Sequence, residues 1–305
     1  VAYRIRGTGI YHPELRSAAR LLPRRATGPV FEPVRRRLES LVSQRGDERT
    51  VEISPTATVR VHRPADLPTP APALLWIHGG GLVMGSAKQD DRACAAFAAE
   101  VGAVVAAVDY RLASQAVFPA ALDDCYDALT WLHGNPDVDP ERLAIGGGSA
   151  GAGLAAALAQ LVRDRGEIKP RLQLLVYPML DDRTAARPDP DGDKRRLWDN
   201  TANRVGWSAY LGRPAGSADV SPLASPARAV DLSELAAAWI GVGSLDLFRD
   251  ECVDYAERLR AAGVDCTLKV VDGAFHGFDY IAPRAEVTRD FHASQVDALR
   301  AALQG

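Results

Sequence analysis

The pentapeptide Gly147-Gly148-Ser149-Ala150-Gly151 lies between the apolar run Leu143-Ala144-Ile145 and the small-residue stretch Ala152-Gly153-Leu154-Ala155-Ala156-Ala157-Leu158. That order predicts a strand, a sharp turn and a helix, with the serine on the turn. A serine held there takes a strained backbone conformation that projects its Oγ into open space, and the glycines two positions away on either side let strand and helix approach closely. Strings of this kind also occur in flexible loops. Here the strand and helix signals on both flanks carry the reading, and they demand an α/β architecture around the turn.

The rest of the chain agrees. From about Val51 strand and helix patterns alternate, which predicts an α/β fold with a largely parallel sheet covered on both faces. Val51-Ile53 and Val59-His62 read as an opening antiparallel pair, followed by strands over Leu74-Ile77, Ala103-Val108, Leu172-Tyr177, Ala237-Gly241 and Cys266-Val271. Amphipathic helices are predicted over Asp90-Val101, Leu122-Leu132, Ala150-Val162 and Phe291-Leu303. Two stretches break the alternation: residues 1–48, with a helical candidate over Val34-Val42, and residues 183–233. The second holds Trp198, Trp207, Tyr210 and Leu211, too apolar for a freely solvated loop. Together they read as a helical cap over a core made of residues 49–182 and 234–305.

The chain has 305 residues and a formal net charge of −3, so it offers no basic field for nucleic acid or anionic lipid. The short runs Arg24-Arg25 and Arg35-Arg36-Arg37 read as solvated helix faces. No stretch approaches the roughly 20 apolar residues that span a bilayer, and the N-terminus lacks a signal peptide's apolar segment, so a cytoplasmic location without stable membrane insertion is expected. Cys94, Cys125, Cys252 and Cys266 are scattered without metal-ligand spacing and read as reduced, buried small residues.

A serine hydroxyl is a weak nucleophile at neutral pH, so it needs a base, and the base needs an orienting group. Asp246 follows the strand Ala237-Gly241 and His276 follows the strand Cys266-Val271, which puts Ser149, Asp246 and His276 in that chain order at the carboxyl ends of predicted parallel strands. Donors for a developing oxyanion come from His78-Gly79-Gly80-Gly81, after the strand Leu74-Ile77, and from the helix start. Gly80, Gly81 and Ala150 are the expected oxyanion hole, and His78 reads as a structural hydrogen-bonding residue. Neither metal nor cofactor is called for.

These strings, with Asp109-Tyr110-Arg111-Leu112-Ala113, Phe118-Pro119-Ala120-Ala121, Asp246-Leu247-Phe248-Arg249-Asp250-Glu251 and His276-Gly277-Phe278, resemble the hormone-sensitive lipase family of α/β-hydrolase esterases from about Ala73 to the C-terminus. The resemblance implies an eight-stranded sheet, a cap built from the N-terminus and the insertion, and hydrolysis of small carboxylic esters, usually with short acyl chains. Three departures from the family pattern stand out. Gly148 stands where aspartate or threonine is common, Ser114-Gln115 where Pro-Glu usually continues, and Leu82 where an aromatic is frequent. A smaller residue at position 82 would widen the substrate pocket. Trp207 and Tyr210, on one face of a helix, are candidates for the apolar lining or for packing of cap on core. Asp250 and Glu251 read as acids complementing a helix N-terminus.

The same triad serves amidases, lactonases and acyl transferases, and these remain open. A ligand-binding receptor on a disabled hydrolase scaffold fits less well, because all three triad members are present. Interfacial lipase action is disfavoured by an N-terminal segment rich in Arg and broken by Pro. A homodimer through an edge strand is open to such a fold.

Overall fold

The computed structural model describes residues 8–22 and 49–305. The helical candidate Val34-Val42 and both arginine runs lie outside the described residues. Eight strands form one sheet in the order β1-β2-β4-β3-β5-β6-β7-β8. They are β1 (Arg49–Ser54), β2 (Ala57–His62), β3 (Ala71–Ile77), β4 (Val104–Asp109), β5 (Val138–Gly148), β6 (Leu172–Val176), β7 (Ala237–Gly243) and β8 (Cys266–Val271). The pairs β1–β2 and β2–β4 are antiparallel and all others parallel.

The sequence dictates where each strand sits. Every residue of β3 is buried, as its unbroken apolar run requires of a strand covered on both faces. β2 buries Ala57, Val59 and His62 and leaves the residues between partly exposed, in keeping with a place near the sheet edge. Helices Asp91–Val101 and Glu286–Gln304 pack together, as do Ala120–His133 and Ala150–Arg165.

One topological feature positions the site. β3 lies between β4 and β5, so the direction of strand addition reverses there, and the carboxyl ends of β3 and β5 open the crevice where α/β sheets collect ligands. The parallel register pairs Ile77 with Gly147. The loop after β3 therefore emerges beside the turn after β5.

The stretch between β6 and β7 contains the helix Asn200–Leu211, started by the Asp199 carboxylate accepting from Ala202 N–H at 2.9 Å and ended by Gly212 in the left-handed conformation. Its flanks are pinned to the core. The buried Asp182 carboxylate takes Arg228 Nε at 2.6 Å, and Glu251 accepts from Leu180 N–H at 2.8 Å and Thr184 Oγ1 at 2.6 Å. Asp250 and Glu251 do open the helix Arg249–Ala261, but Glu251 is buried and also serves as this clamp. The described N-terminal residues join the same assembly: Tyr11 Oη donates to the Lys194 carbonyl at 2.8 Å and Arg196 Nε to the Ala19 carbonyl at 2.8 Å.

Candidate active site

Ser149 begins the turn between β5 and the helix Ala150–Arg165 with φ 56° and ψ −117°, a left-handed conformation rare for a residue with a Cβ. Its strain is held by backbone bonds on both sides: Ser149 N–H donates to the Val176 carbonyl at 2.9 Å, and the Ser149 carbonyl accepts from Gly153 and Met179 N–H at 3.1 Å each. Close approach makes glycine obligatory at both flanks, since a Cβ on Gly147 or Gly151 would strike the Ile77 carbonyl oxygen. Gly148 differs. A Cβ there would meet nothing nearer than 3.9 Å, the closest atoms belonging to Tyr177 and Tyr280.

The structure brings the three residues expected from the sequence into contact. His276 Nε2 lies 2.9 Å from Ser149 Oγ, and Nδ1 lies 2.8 Å from Asp246 Oδ2. A carboxylate only accepts, so the Nδ1 facing Asp246 carries a proton, which leaves Nε2 as the nitrogen that faces the hydroxyl. The other oxygen, Asp246 Oδ1, is taken by Phe248 N–H at 2.9 Å, which locks the carboxylate plane. Three aromatics frame the imidazole: Tyr177 and Phe248 edge-on at 4.7 and 5.3 Å, and Trp198 tilted at 6.4 Å.

The loop after β3 runs against the elbow, and a Cβ on Gly79 would stand 3.4 Å from the Ser149 Cβ. Gly80 and Gly81 have φ 125° and 61°, conformations that turn their N–H groups away from regular pairing. Among the described residues no acceptor engages the N–H of Gly80, Gly81 or Ala150. Three backbone donors thus remain available beside the Ser149 turn, one of them at a helix N-terminus. His78 supports this loop and does not join the triad. Its Nδ1 donates to the Gly79 carbonyl at 2.8 Å, its ring stacks on Tyr110 at 4.3 Å, and burial holds the imidazole below the ordinary histidine range.

The remaining sequence candidates are not at the reacting atoms. Leu82 is buried with φ 67°, its carbonyl accepting from Ala113 N–H at 2.8 Å. Trp207 and Tyr210 are 1% and 2% exposed within the core, Tyr210 edge-on to Phe118 at 5.8 Å. The aromatic of the insertion that reaches the site is Trp198, whose ring covers Gly81. Its place in an apolar insertion was legible, but not its direction. Gln115, where the family pattern has Pro-Glu, braces its loop instead through Oε1, which accepts from Leu112 N–H at 2.8 Å.

Two supports had no sequence signal. Arg195 pairs with Asp189 at 3.0 Å and donates to the carbonyls of Leu245 and Asp246. Near the elbow, Asp90 accepts from Trp76 Nε1 at 2.7 Å and Tyr280 Oη at 2.8 Å, and burial pushes its carboxyl up to about 6. Among the described residues no cluster of His, Cys, Asp or Glu is placed to hold a metal, and no helix is long and apolar enough to cross a membrane. All four cysteines are free and buried.

A hydroxyl within hydrogen-bond reach of an imidazole whose far nitrogen is held by a carboxylate, beside unengaged N–H donors, is an arrangement that suits acyl transfer. The family described as alpha/beta hydrolase fold matches residues 74–280. The chain is similar to the ethyl acetate hydrolase of Pseudomonas putida, with 36% identity over 284 residues covering 86% of this chain and 87% of that protein. Similarity to the esterase LipI of Mycobacterium tuberculosis is 34% over 293 residues, covering 90% and 89%. Among solved structures, a bacterial heroin esterase superposes with a TM-score of 0.90 at 34% identity, covering 98% of this chain and 99% of that one.

Proposed function

Because the chain belongs to the hormone-sensitive lipase family of α/β-hydrolase esterases and is a carboxylic ester hydrolase, we propose that Ser149, His276 and Asp246 are its catalytic triad and Gly80, Gly81 and Ala150 its oxyanion hole. The observation that carries this reading is His276 bridging Ser149 and Asp246 at hydrogen-bond distance on both ring nitrogens.

Ser149 Oγ attacks the ester carbonyl as its proton passes to His276 Nε2, and the Asp246 carboxylate stabilises the imidazolium. The carbonyl oxygen, now negative, receives the N–H groups of Gly80, Gly81 and Ala150; donors of this kind contribute roughly 3 to 4 kcal/mol each in well-studied enzymes. The imidazolium returns its proton to the leaving alcohol. Water, deprotonated by the same nitrogen, then cleaves the acyl-serine and restores the hydroxyl.

Short acyl chains suit the site, because Trp198 lies over Gly81 and the similar Pseudomonas protein bears the name ethyl acetate hydrolase. Residues 8–22, the described part of the N-terminal stretch, and residues 183–233 belong to the cap that sets substrate size, with Leu82, Trp207 and Tyr210 behind the pocket wall. The contacts of Tyr11 and Arg196 between the two stretches support that division.

A fluorophosphonate probe tests the triad. Stoichiometric labelling is expected, with mass spectrometry locating the adduct on Ser149, and Ser149→Ala should lose both label and ester turnover while remaining folded. An active, unlabelled Ser149→Ala protein would overturn the assignment.

A further inference from the structure

The short helix Phe278–Ile281 follows His276 after a single residue, Gly277, whose φ of 65° turns the chain sharply. The reach of His276 to Ser149 therefore depends on what fastens the residues just behind it. Two neighbouring side chains of that helix do so. Asp279 Oδ1 accepts from Tyr177 Oη at 3.0 Å, and Tyr280 Oη donates to Asp90 Oδ1 at 2.8 Å. Tyr177 follows β6 and lies edge-on to the His276 ring, whereas Asp90 ends the 3₁₀ turn Ala87–Asp90 that comes after β3.

The second of these ties passes beside the elbow. A Cβ on Gly148, the residue before Ser149, would have as its nearest atoms Tyr177 Cε2 and Tyr280 Oη at 3.9 Å and Trp76 Cζ2 at 4.0 Å. The Asp90 carboxylate is 1% exposed and takes Trp76 Nε1 on its other oxygen at 2.7 Å. Trp76 belongs to β3, where it pairs with Gly146 of β5. The route from the His276 turn through Tyr280, Asp90 and Trp76 thus ends against the strand that delivers Ser149.

We propose that Tyr280 and Asp90 are positioning residues for the reaction: their hydrogen bond, anchored on Trp76, holds the His276 turn at the distance from the elbow at which Nε2 meets the Ser149 hydroxyl. His276 and Ser149 are 127 residues apart along the chain, and proton transfer between them needs them within hydrogen-bond reach. Neither Tyr280 nor Asp90 touches the reacting atoms, so both act through the imidazole. The inference rests on the triad assignment above and adds the residues that set its geometry. A tie that only stabilised the fold would change melting and leave the turnover of each folded molecule as it was.

The test compares the wild type with Tyr280→Phe, Asp90→Ala and Asp90→Asn on ethyl butyrate, with the rate of phosphonylation by a fluorophosphonate and thermal melting measured alongside. Tyr280 is 43% exposed, so phenylalanine removes the hydroxyl without emptying the core. Tyr280→Phe and Asp90→Ala should each lower kcat about 10-fold, short of the roughly 100-fold that an ångström of misplacement can cost, with KM little changed. Phosphonylation, which draws on the same base, should slow in proportion. Asparagine can keep both bonds, its oxygen accepting from the Trp76 indole and its amide nitrogen donating to the Tyr280 oxygen, so Asp90→Asn should recover most of the loss. Wild-type turnover and phosphonylation in Tyr280→Phe or in folded Asp90→Ala, whatever the melting temperature, would overturn the proposal, and so would equal losses in Asp90→Ala and Asp90→Asn. If Asp90→Ala does not fold, Tyr280→Phe against Asp90→Asn carries the comparison. Failure of the underlying triad reading looks different: the wild type itself would take no fluorophosphonate on Ser149.

Discussion

Arg195 donates through Nη1 to the carbonyl oxygen of Asp246, 2.9 Å away. The same nitrogen reaches the Leu245 carbonyl at 2.9 Å, and the guanidinium is held from behind by Asp189. The turn carrying the carboxylate that orients His276 is thus fastened by the insertion.

Arg195→Met keeps the aliphatic stem and removes both bonds. It should lower kcat on ethyl butyrate about 10-fold, the low end for groups that orient catalytic ligands from behind, with a smaller change in KM. Steady-state kinetics decides, and an unchanged kcat would mean that the Asp246 turn holds its shape unaided.

Asp246→Asn should reduce kcat by roughly 10⁴-fold without unfolding the protein. Phe248 N–H keeps an oxygen at the Oδ1 position, so the new amide nitrogen faces His276 Nδ1. The ring must then carry its proton on Nε2, where it cannot accept from Ser149. Activity near the wild-type level, with circular dichroism unchanged, would remove Asp246 from the triad.

Gly148→Ala should be tolerated and should gain about 0.5–1 kcal/mol, because alanine restricts the unfolded chain and its Cβ finds only van der Waals contacts here. Gly147→Ala and Gly151→Ala should fail to give a stable protein, since each new Cβ collides with the Ile77 carbonyl. Urea unfolding of the three variants separates these outcomes.

Asp90 carries a pH dependence of defined sign. Its carboxyl is raised from 3.8 to about 6 by burial, which outweighs the hydrogen bonds from Trp76 and Tyr280. The folded state therefore binds more protons than the unfolded one between about pH 4 and 6, and stability falls as pH rises through that window, by about 3 kcal/mol in all. Asp90→Asn should flatten this slope and melt higher than the wild type at pH 7.5. Melting curves at pH 4.5, 6 and 7.5 would show it, and parallel slopes for the two proteins would refute it.

Much of the site was legible in one dimension because its parts are local. The elbow needs glycine at 147 and 151 for contacts made within a single strand–turn–helix unit and the strand beside it, and the order of the proposed triad follows from which strand each residue terminates. The pocket was less legible. Helical spacing put Trp207 and Tyr210 on one face, which the structure confirms, but the ring over Gly81 belongs to Trp198, in an irregular stretch with no period to orient it.

By itself the sequence determined the α/β alternation, the strained serine and the residues able to serve it, because hydrophobic period and glycine placement act over a few residues at a time. Tertiary structure alone decided that β3 lies beside β5, so that the loop carrying Gly79, Gly80 and Gly81 runs against the Ser149 turn, and that the insertion returns Arg195 to the Asp246 turn and Trp198 to Gly81. Periodicity specifies that a face must be covered. Which neighbour covers it depends on the route of the whole chain, and so do hydrogen bonds between side chains and distant carbonyls.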